Sequence, residues 1–300
     1  MKLRHNPPND GRAFTIPELL ISMTVMMILG TIIYTSLQAG LMLSAKNAAI
    51  NHSHEDLRSA LDRMAHHLQA ARNVPTMIDT AGTTVVTGPA AGIKYDLLIG
   101  EPYAIDPVMT AGSFTATTTT LSIWRSVAAT GAPPIPVVND VLVIDTPEGM
   151  VRSRITAVTT AAAVGSTQKF TLTFAAALGK TMSWGVNQAR WARLVRPEAF
   201  VVATNGTKRE LHYFTNFEPA PSMTDATKFV TLTDQLATGT SDATPFNIVD
   251  NSGDKLVSAD LRMQASNFNQ VLSKREVNAF HTFFRMNVNL SSRLRPKTTN

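Results

Sequence analysis

The chain contains no cysteine in 300 residues. That absence excludes disulfides, thiolate metal sites and thiol nucleophiles, so any part folded outside a membrane is held by its hydrophobic core alone. Aromatic residues are sparse at 7% and charged residues make up 16%. Hydrophobic content of 44% nevertheless places the chain among globular rather than disordered sequences. No phosphate-cradling glycine loop, nucleophile elbow or His-Glu-x-x-His pattern occurs. The short signatures of nucleotide binding, serine hydrolysis and zinc proteolysis are therefore missing.

Charge is absent altogether from the 27 residues Leu19 to Ala45, enough to cross a hydrocarbon core, which takes roughly 20 apolar residues. Lys2, Arg4 and Arg12 precede this run, and positive charge stays on the cytoplasmic side, so the N-terminus is expected there. A secretory signal peptide has a shorter apolar core followed by a small-residue cleavage site. An ordinary uncleaved anchor shares the basic leader but has no need of Glu18, which stands at the mouth of the apolar run. A carboxylate at membrane depth costs about 2.5–3.5 kcal/mol on insertion scales, so it asks for a partner. A free amine is the candidate.

The residues Ala13-Phe14-Thr15-Ile16-Pro17-Glu18-Leu19-Leu20-Ile21 closely resemble the prepilin signal of the type IV pilin and type II secretion pseudopilin family. In that family a membrane peptidase cuts just before the Phe and methylates the new N-terminus. The resemblance implies cleavage between Ala13 and Phe14, leaving Phe14 as an N-methylated first residue. It also matches Glu18 to the family's glutamate, which sits near the N-terminal amine of a neighbouring subunit in the assembled filament. Ala13 stands where the family usually has Gly, and Pro17 where it usually has a large aliphatic residue. Proline is compatible with a first helical turn, whose N–H groups have no intrahelical acceptor. The resemblance is specific over about Gly11 to Leu43 and looser to Asn73. Removing the leader takes away Lys2, Arg4, Arg12 and Asp10, a net of +2, so the charge of +5 falls to +3.

Beyond the apolar run Leu43, Ile50, Leu57, Met64 and Ala71 recur every seven residues, with Leu61 and Leu68 in the adjacent row, an amphipathic helix face. Glu55, Asp56, Arg58, Asp62, Arg63, His66, Gln69 and Arg72 occupy the opposite side. One helix is predicted from Thr15 to Asn73, 59 residues and roughly 90 Å, ending at Asn73-Val74-Pro75. Its Leu57, Leu61, Met64 and Leu68 stripe is expected to pack on the globular domain. Gly30 and Gly40 mark flexible points, close helix approach, or small residues tolerated in a membrane helix.

From Thr76 onward the sequence reads as strands and turns: Thr83 to Thr87, Ile93 to Ile99, Phe114 to Trp124, Val137 to Asp145, Met150 to Val158, Lys169 to Ala175, Phe200 to Thr204, Glu210 to Phe214, Lys228 to Thr233, Leu256 to Phe268 and Phe280 to Ser291. Asn139 to Asp145, Met150 to Ile155 and Phe170 to Phe174 suggest three successive strands of a meander. The expected fold class is α+β, with a long N-terminal helix, membrane-spanning then amphipathic, packed on a β-rich globular domain. The expected divisions are a leader over 1–13, a pilin-like helix over 14–73 with 19–45 transmembrane, and a periplasmic β-rich domain over 74–300.

Candidate ligand groups are few. His52, Glu55 and Asp56 lie at helical spacings that metals exploit, with His54, His66 and His67 nearby, and Asp250-Asn251-Ser252-Gly253-Asp254 offers oxygen ligands. The first reads better as a hydrated helix surface and the second as a turn between strands, so neither metal nor cofactor is expected. The basic groups around Arg190, Arg193 and Arg196, Lys208 and Arg209, Lys274 and Arg275, and Arg293, Arg295 and Lys297 are spread out without a base-stacking motif, so nucleic acid is not an expected partner. The resemblance implies a larger minor pilin or J-type pseudopilin, a non-enzymatic filament subunit of the inner membrane. Its partners would be the prepilin peptidase and other pilins or pseudopilins. The competing class is a membrane-anchored adhesin or DNA-capture module.

Overall fold

The computed structural model of the chain describes residues 15–73, 75–105, 111–127, 133–188, 190–206, 208–251, 254–264 and 281–289. Helix α1 (Ile16–Ala70) holds 55 residues, about 80 Å of rise. Among the described residues it is the one helix long and apolar enough to cross a membrane. It ends at Ala70 rather than Asn73 because the sheet captures the chain. Ala71 turns extended (φ −60°, ψ 138°) and bridges Leu97. The Arg72 N–H donates to the Asp96 carbonyl at 2.9 Å, and Asn73 Oδ1 accepts the Asp96 N–H at 2.7 Å.

The expected stripe is the docking face. Leu57, Ala60, Leu61, Met64 and Leu68 are buried against strands that follow. The seven-residue row enters the core only from Leu57, since Leu43 is exposed and Ile50 half-buried. Each fully buried Leu or Met contributes about 1.5–3 kcal/mol relative to an exposed one.

The strands are β1 (Thr76–Ile78), β2 (Gly92–Ala104), β3 (Gly112–Phe114), β4 (Thr120–Ser126), β5 (Val141–Thr146), β6 (Gly149–Thr160), β7 (Thr167–Phe174), β8 (Met182–Trp184), β9 (Trp191–Asn205), β10 (Lys208–Phe214), β11 (Phe229–Leu236), β12 (Phe246–Asn251), β13 (Asp254–Gln264) and β14 (His281–Asn289). All pairings among them are antiparallel. Following them from β2 through β4, β7, β6, β5 and β9 leads back to β2, which closes a barrel of six strands. Tyr103, Ile123, Leu142, Ile155, Phe170, Leu172 and Leu194 fill it, and the β3–β8 ribbon adds Phe114, Met182 and Trp184 to the same core.

The two longest strands belong to two structures at once. The first half of β2 and the second half of β9 run out of the barrel into a second sheet with β10, β11, β13, β12 and β14. α1 lies on one face of that sheet, over Ile93, Tyr95, Phe200, Leu211, Tyr213 and Val257. Pro197 marks the crossover. On one side of β9, β5 pairs as far as Val195 and β10 begins at Ala199, so the intervening residues face no strand there. A proline without an N–H is tolerated at such an open edge, and its carbonyl accepts the Phe217 N–H at 2.7 Å. In β2 the register slips between Ile99 and Tyr103 at Gly100, whose φ of +60° suits glycine. A Cβ there would lie 2.6 Å from Pro134 Cδ.

The meander is present as β5–β6–β7. Other expected runs are corrected. Phe114 to Trp124 is broken by a turn at Ala116 and Thr117. The start of the Val137 to Asp145 run, as far as Asp140, is a loop with Asn139 at φ 75°, and the strand begins only at Val141. Thr83 to Thr87 contributes a single bridge, Val85 to Ile78. The residues Ser252 and Gly253 lie outside the described residues, but the flanking pair Asn251–Asp254 closes the β12–β13 register as a hairpin.

Met64, fully buried beneath the sheet, is the sharpest test of docking. Met64→Ala should lower stability by about 2–5 kcal/mol in denaturant titrations followed by circular dichroism; a change within about 0.5 kcal/mol, the range of ordinary surface substitutions, would show that the helix does not rest on this core.

Candidate functional site

Ala13 and Phe14, the expected processing pair, lie outside the described residues. The helix entrance beside them is described. Thr15 is the N-cap in extended conformation, and Pro17 sits in the first turn, where its missing N–H costs no hydrogen bond. Glu18 Oε2 accepts hydrogen bonds from the Thr15 backbone N–H at 3.0 Å and from its hydroxyl at 2.9 Å. Thr15-x-x-Glu18 is thus a capping arrangement that sequence reasoning overlooked, although the spacing signals it. The carboxylate expected to need a free amine already has a partner in its own chain. Among the described residues its Oε1 has none, and the side chain is exposed.

From Ile16 to Leu43 the helix surface is apolar and open on every side. Met26 is 77% exposed, Ile33 65% and Leu37 62%. The threonine hydroxyls in this stretch turn back on the helix, with Thr31 Oγ1 donating to the Met27 carbonyl at 2.8 Å and Thr35 Oγ1 to that of Thr31 at 2.9 Å. Polar groups bonded internally in this way suit a hydrocarbon environment. Gly30 and Gly40 lie within the unbroken helix, and a Cβ at either position would meet nothing within 4 Å.

The histidines divide. His52 Nε2 lies 3.8 Å from Asp56 Oδ2 on the exposed helix face, and among the described residues no group of three His, Asp or Glu side chains is placed to hold a metal ion. His67 instead turns into the helix–sheet seam, with Nδ1 2.9 Å from Glu198 Oε2, which also accepts the Tyr95 hydroxyl at 2.9 Å. Phe200 and Tyr213 enclose it, and Arg63 lies 4.8 Å from the Tyr213 ring centroid. A second buried pair, His212 Nε2 and Glu210 Oε2 at 2.7 Å, stands on the opposite sheet face under Phe229. Sequence reasoning marked neither Glu198 nor Glu210. Glu198 meets Tyr95 through strand register and His67 through helix docking, whereas Glu210 and His212 stand two residues apart on one face of β10, a spacing that could have signalled the pair.

A charged cluster joins the barrel to the helix-bearing sheet. Arg152 of β6 reaches both oxygens of Asp96, at 3.1 and 2.9 Å, and Glu218 Oε1 at 3.0 Å; Lys94 Nζ shares that same oxygen at 2.7 Å. Burial acts to raise the Glu218 carboxyl, but the hydrogen bonds from Arg152 and Lys94 outweigh it and hold the group below its ordinary value. Asp140 is the reverse case. Burial raises its carboxyl despite the hydrogen bond from Arg196.

No protein-family model, curated protein or solved structure matches this chain.

The depressed Glu218 carboxyl stabilises the fold above the unfolded-state value near 4.5 and ceases to do so as pH falls through its lower folded value. Arg152→Ala, which leaves Asp96 buried beside a lost cation, should cost about 1–3 kcal/mol at neutral pH. Denaturant midpoints at neutral pH and at a pH well below 4.5 check this: the wild-type advantage over the variant should shrink in acid, and an advantage that grows would contradict the pairing.

Proposed function

We propose that this chain is a minor pilin or pseudopilin, a structural and assembly subunit of a type IV pilus or type II secretion filament that acts by packing rather than turnover. The observation that carries the reading is the division of α1. Its first half is apolar on all sides and covered by nothing among the described residues, while its second half is docked on a β-rich domain. Such a helix suits two successive environments, a bilayer and then a bundle of like helices, because both accept apolar side chains and internally bonded hydroxyls. In this reading the prepilin peptidase cuts between Ala13 and Phe14, and the chain waits in the inner membrane with its N-terminus cytoplasmic and its β domain periplasmic. Glu18 then offers Oε1, which has no partner among the described residues, to the N-terminal amine of an adjacent subunit.

Mass spectrometry of the native chain should find a methylated N-terminus at Phe14; a retained Met1 overturns the processing step. Because Glu18 also caps its own helix, the informative substitution is Glu18→Gln, which keeps an acceptor for Thr15 but removes the charge. That variant should insert in the membrane normally yet enter sheared filaments at least tenfold less, equivalent to about 1.4 kcal/mol. Equal incorporation would remove the pairing role.

A further inference from the structure

The chain has only 3 Trp, and Trp184 is spent on the barrel core. The other two share one rung on the barrel's outer wall. Trp191 of β9 stands opposite Ala104 of β2, Ala104 opposite Trp124 of β4, and Trp124 opposite Lys169 of β7. Directly opposed residues in antiparallel strands project to the same face. The sequence neighbours Ala192, Tyr103, Ile123 and Phe170 are fully buried inside, so this rung faces outward.

Strand spacing sets the geometry. With strands about 4.8 Å apart, the two indoles rise about 10 Å from each other across β2. Ala104 between them is too small to fill the gap, which leaves a shallow saddle with an aromatic wall at each end. Trp191 is 56% exposed and Trp124 half-buried. Beside the saddle, Lys169 Nζ lies 5.4 Å from the Trp124 ring centroid, and the next rung carries Ser122 and Thr171, whose hydroxyl oxygens are 3.4 Å apart.

We propose that this rung is a binding platform for an extended, uncharged polysaccharide. A sugar ring has an apolar C–H face that stacks on an indole and a rim of hydroxyls that needs hydrogen-bond partners. Two indoles separated by roughly two sugar units meet alternate rings of an extended glycan, and the saddle over Ala104 admits the ring between them. Lys169, Ser122 and Thr171 supply donors and acceptors along one side. A nucleic-acid strand is the other polymer that stacks on aromatics, but its affinity comes from rows of cations. Here the rung itself carries one ammonium, seated against Trp124, with Arg193 as the next outward residue of β9 and neutral hydroxyls on β4 and β7, two cations rather than a row. The assignment is independent of filament assembly and applies equally to the chain in its membrane.

The test uses the full chain in detergent, with affinity electrophoresis through soluble xylan, glucomannan and hydroxyethyl cellulose and sedimentation with crystalline cellulose and chitin. At least one should retain the protein. Trp191→Ala, at an exposed position, should weaken that retention tenfold or more without moving the thermal midpoint, and Ala104→Leu, which fills the saddle, should weaken it comparably. Retention by none of the five polysaccharides, or equal retention of wild type and Trp191→Ala, overturns the proposal. So does tighter binding to a dT oligonucleotide that Trp191→Ala abolishes, which would assign the platform to single-stranded DNA.

Discussion

The seam between the second half of α1 and the sheet is the interaction on which the rest of the molecule depends. Leu57, Met64 and Leu68 meet Tyr95, Phe200 and Tyr213 in a core that neither partner forms alone. The seam also contains a polar commitment. Glu198 is 4% exposed, and its carboxylate takes hydrogen bonds from Tyr95 on the sheet and His67 on the helix. Within the docked seam a carboxylate without partners would be costly, and His67 and Tyr95 together satisfy it. Apolar packing and a satisfied buried acid therefore favour the same docked state, which makes docking cooperative.

Where the chain's own periodicity carries the information, the sequence was readable. The seven-residue row through Leu57 and Met64 announced both the helix and its buried face, and the alternating or β-branched runs Asn139 to Asp145, Met150 to Ile155 and Phe170 to Phe174 announced three adjoining strands, found as β5, β6 and β7. What escaped depends on partners distant in sequence. The helix stops at Ala70 because β2 offers hydrogen bonds to Arg72 and Asn73. Strand β9 was expected only over Phe200 to Thr204, since Arg193, Arg196, Pro197 and Glu198 break the apolar pattern; Arg196 finds Asp140, Glu198 finds Tyr95 and His67, and Pro197 lies at the open edge where the strand passes between two sheets. β1, β8 and β12 were likewise missed, the first two being only 3 residues long.

The entrance of the helix held a signal of the short-range kind that was passed over. Glu18 drew attention as a misplaced charge, and Thr15 three residues earlier gives it a capping partner in its own chain as well. The rung of Trp191, Ala104, Trp124 and Lys169 was beyond sequence reasoning for a simpler reason: residues far apart in the chain become neighbours through barrel closure alone. The buried network of Asp96, Arg152, Glu218 and Lys94 belongs to the same class, joining β2, β6 and the segment after β10.

Strands β2 and β9 pass from the helix-bearing sheet into the barrel without a linker. The barrel is consequently a cantilever of the same beam that grips the helix, with the Asp96–Arg152 pair acting as a brace at the joint. Any torque on the outer wall is delivered to the helix instead of being dissipated in a hinge. In an ordered array of such chains every outer wall would point at the azimuth dictated by its own helix, so the symmetry of the array would be copied onto its exterior.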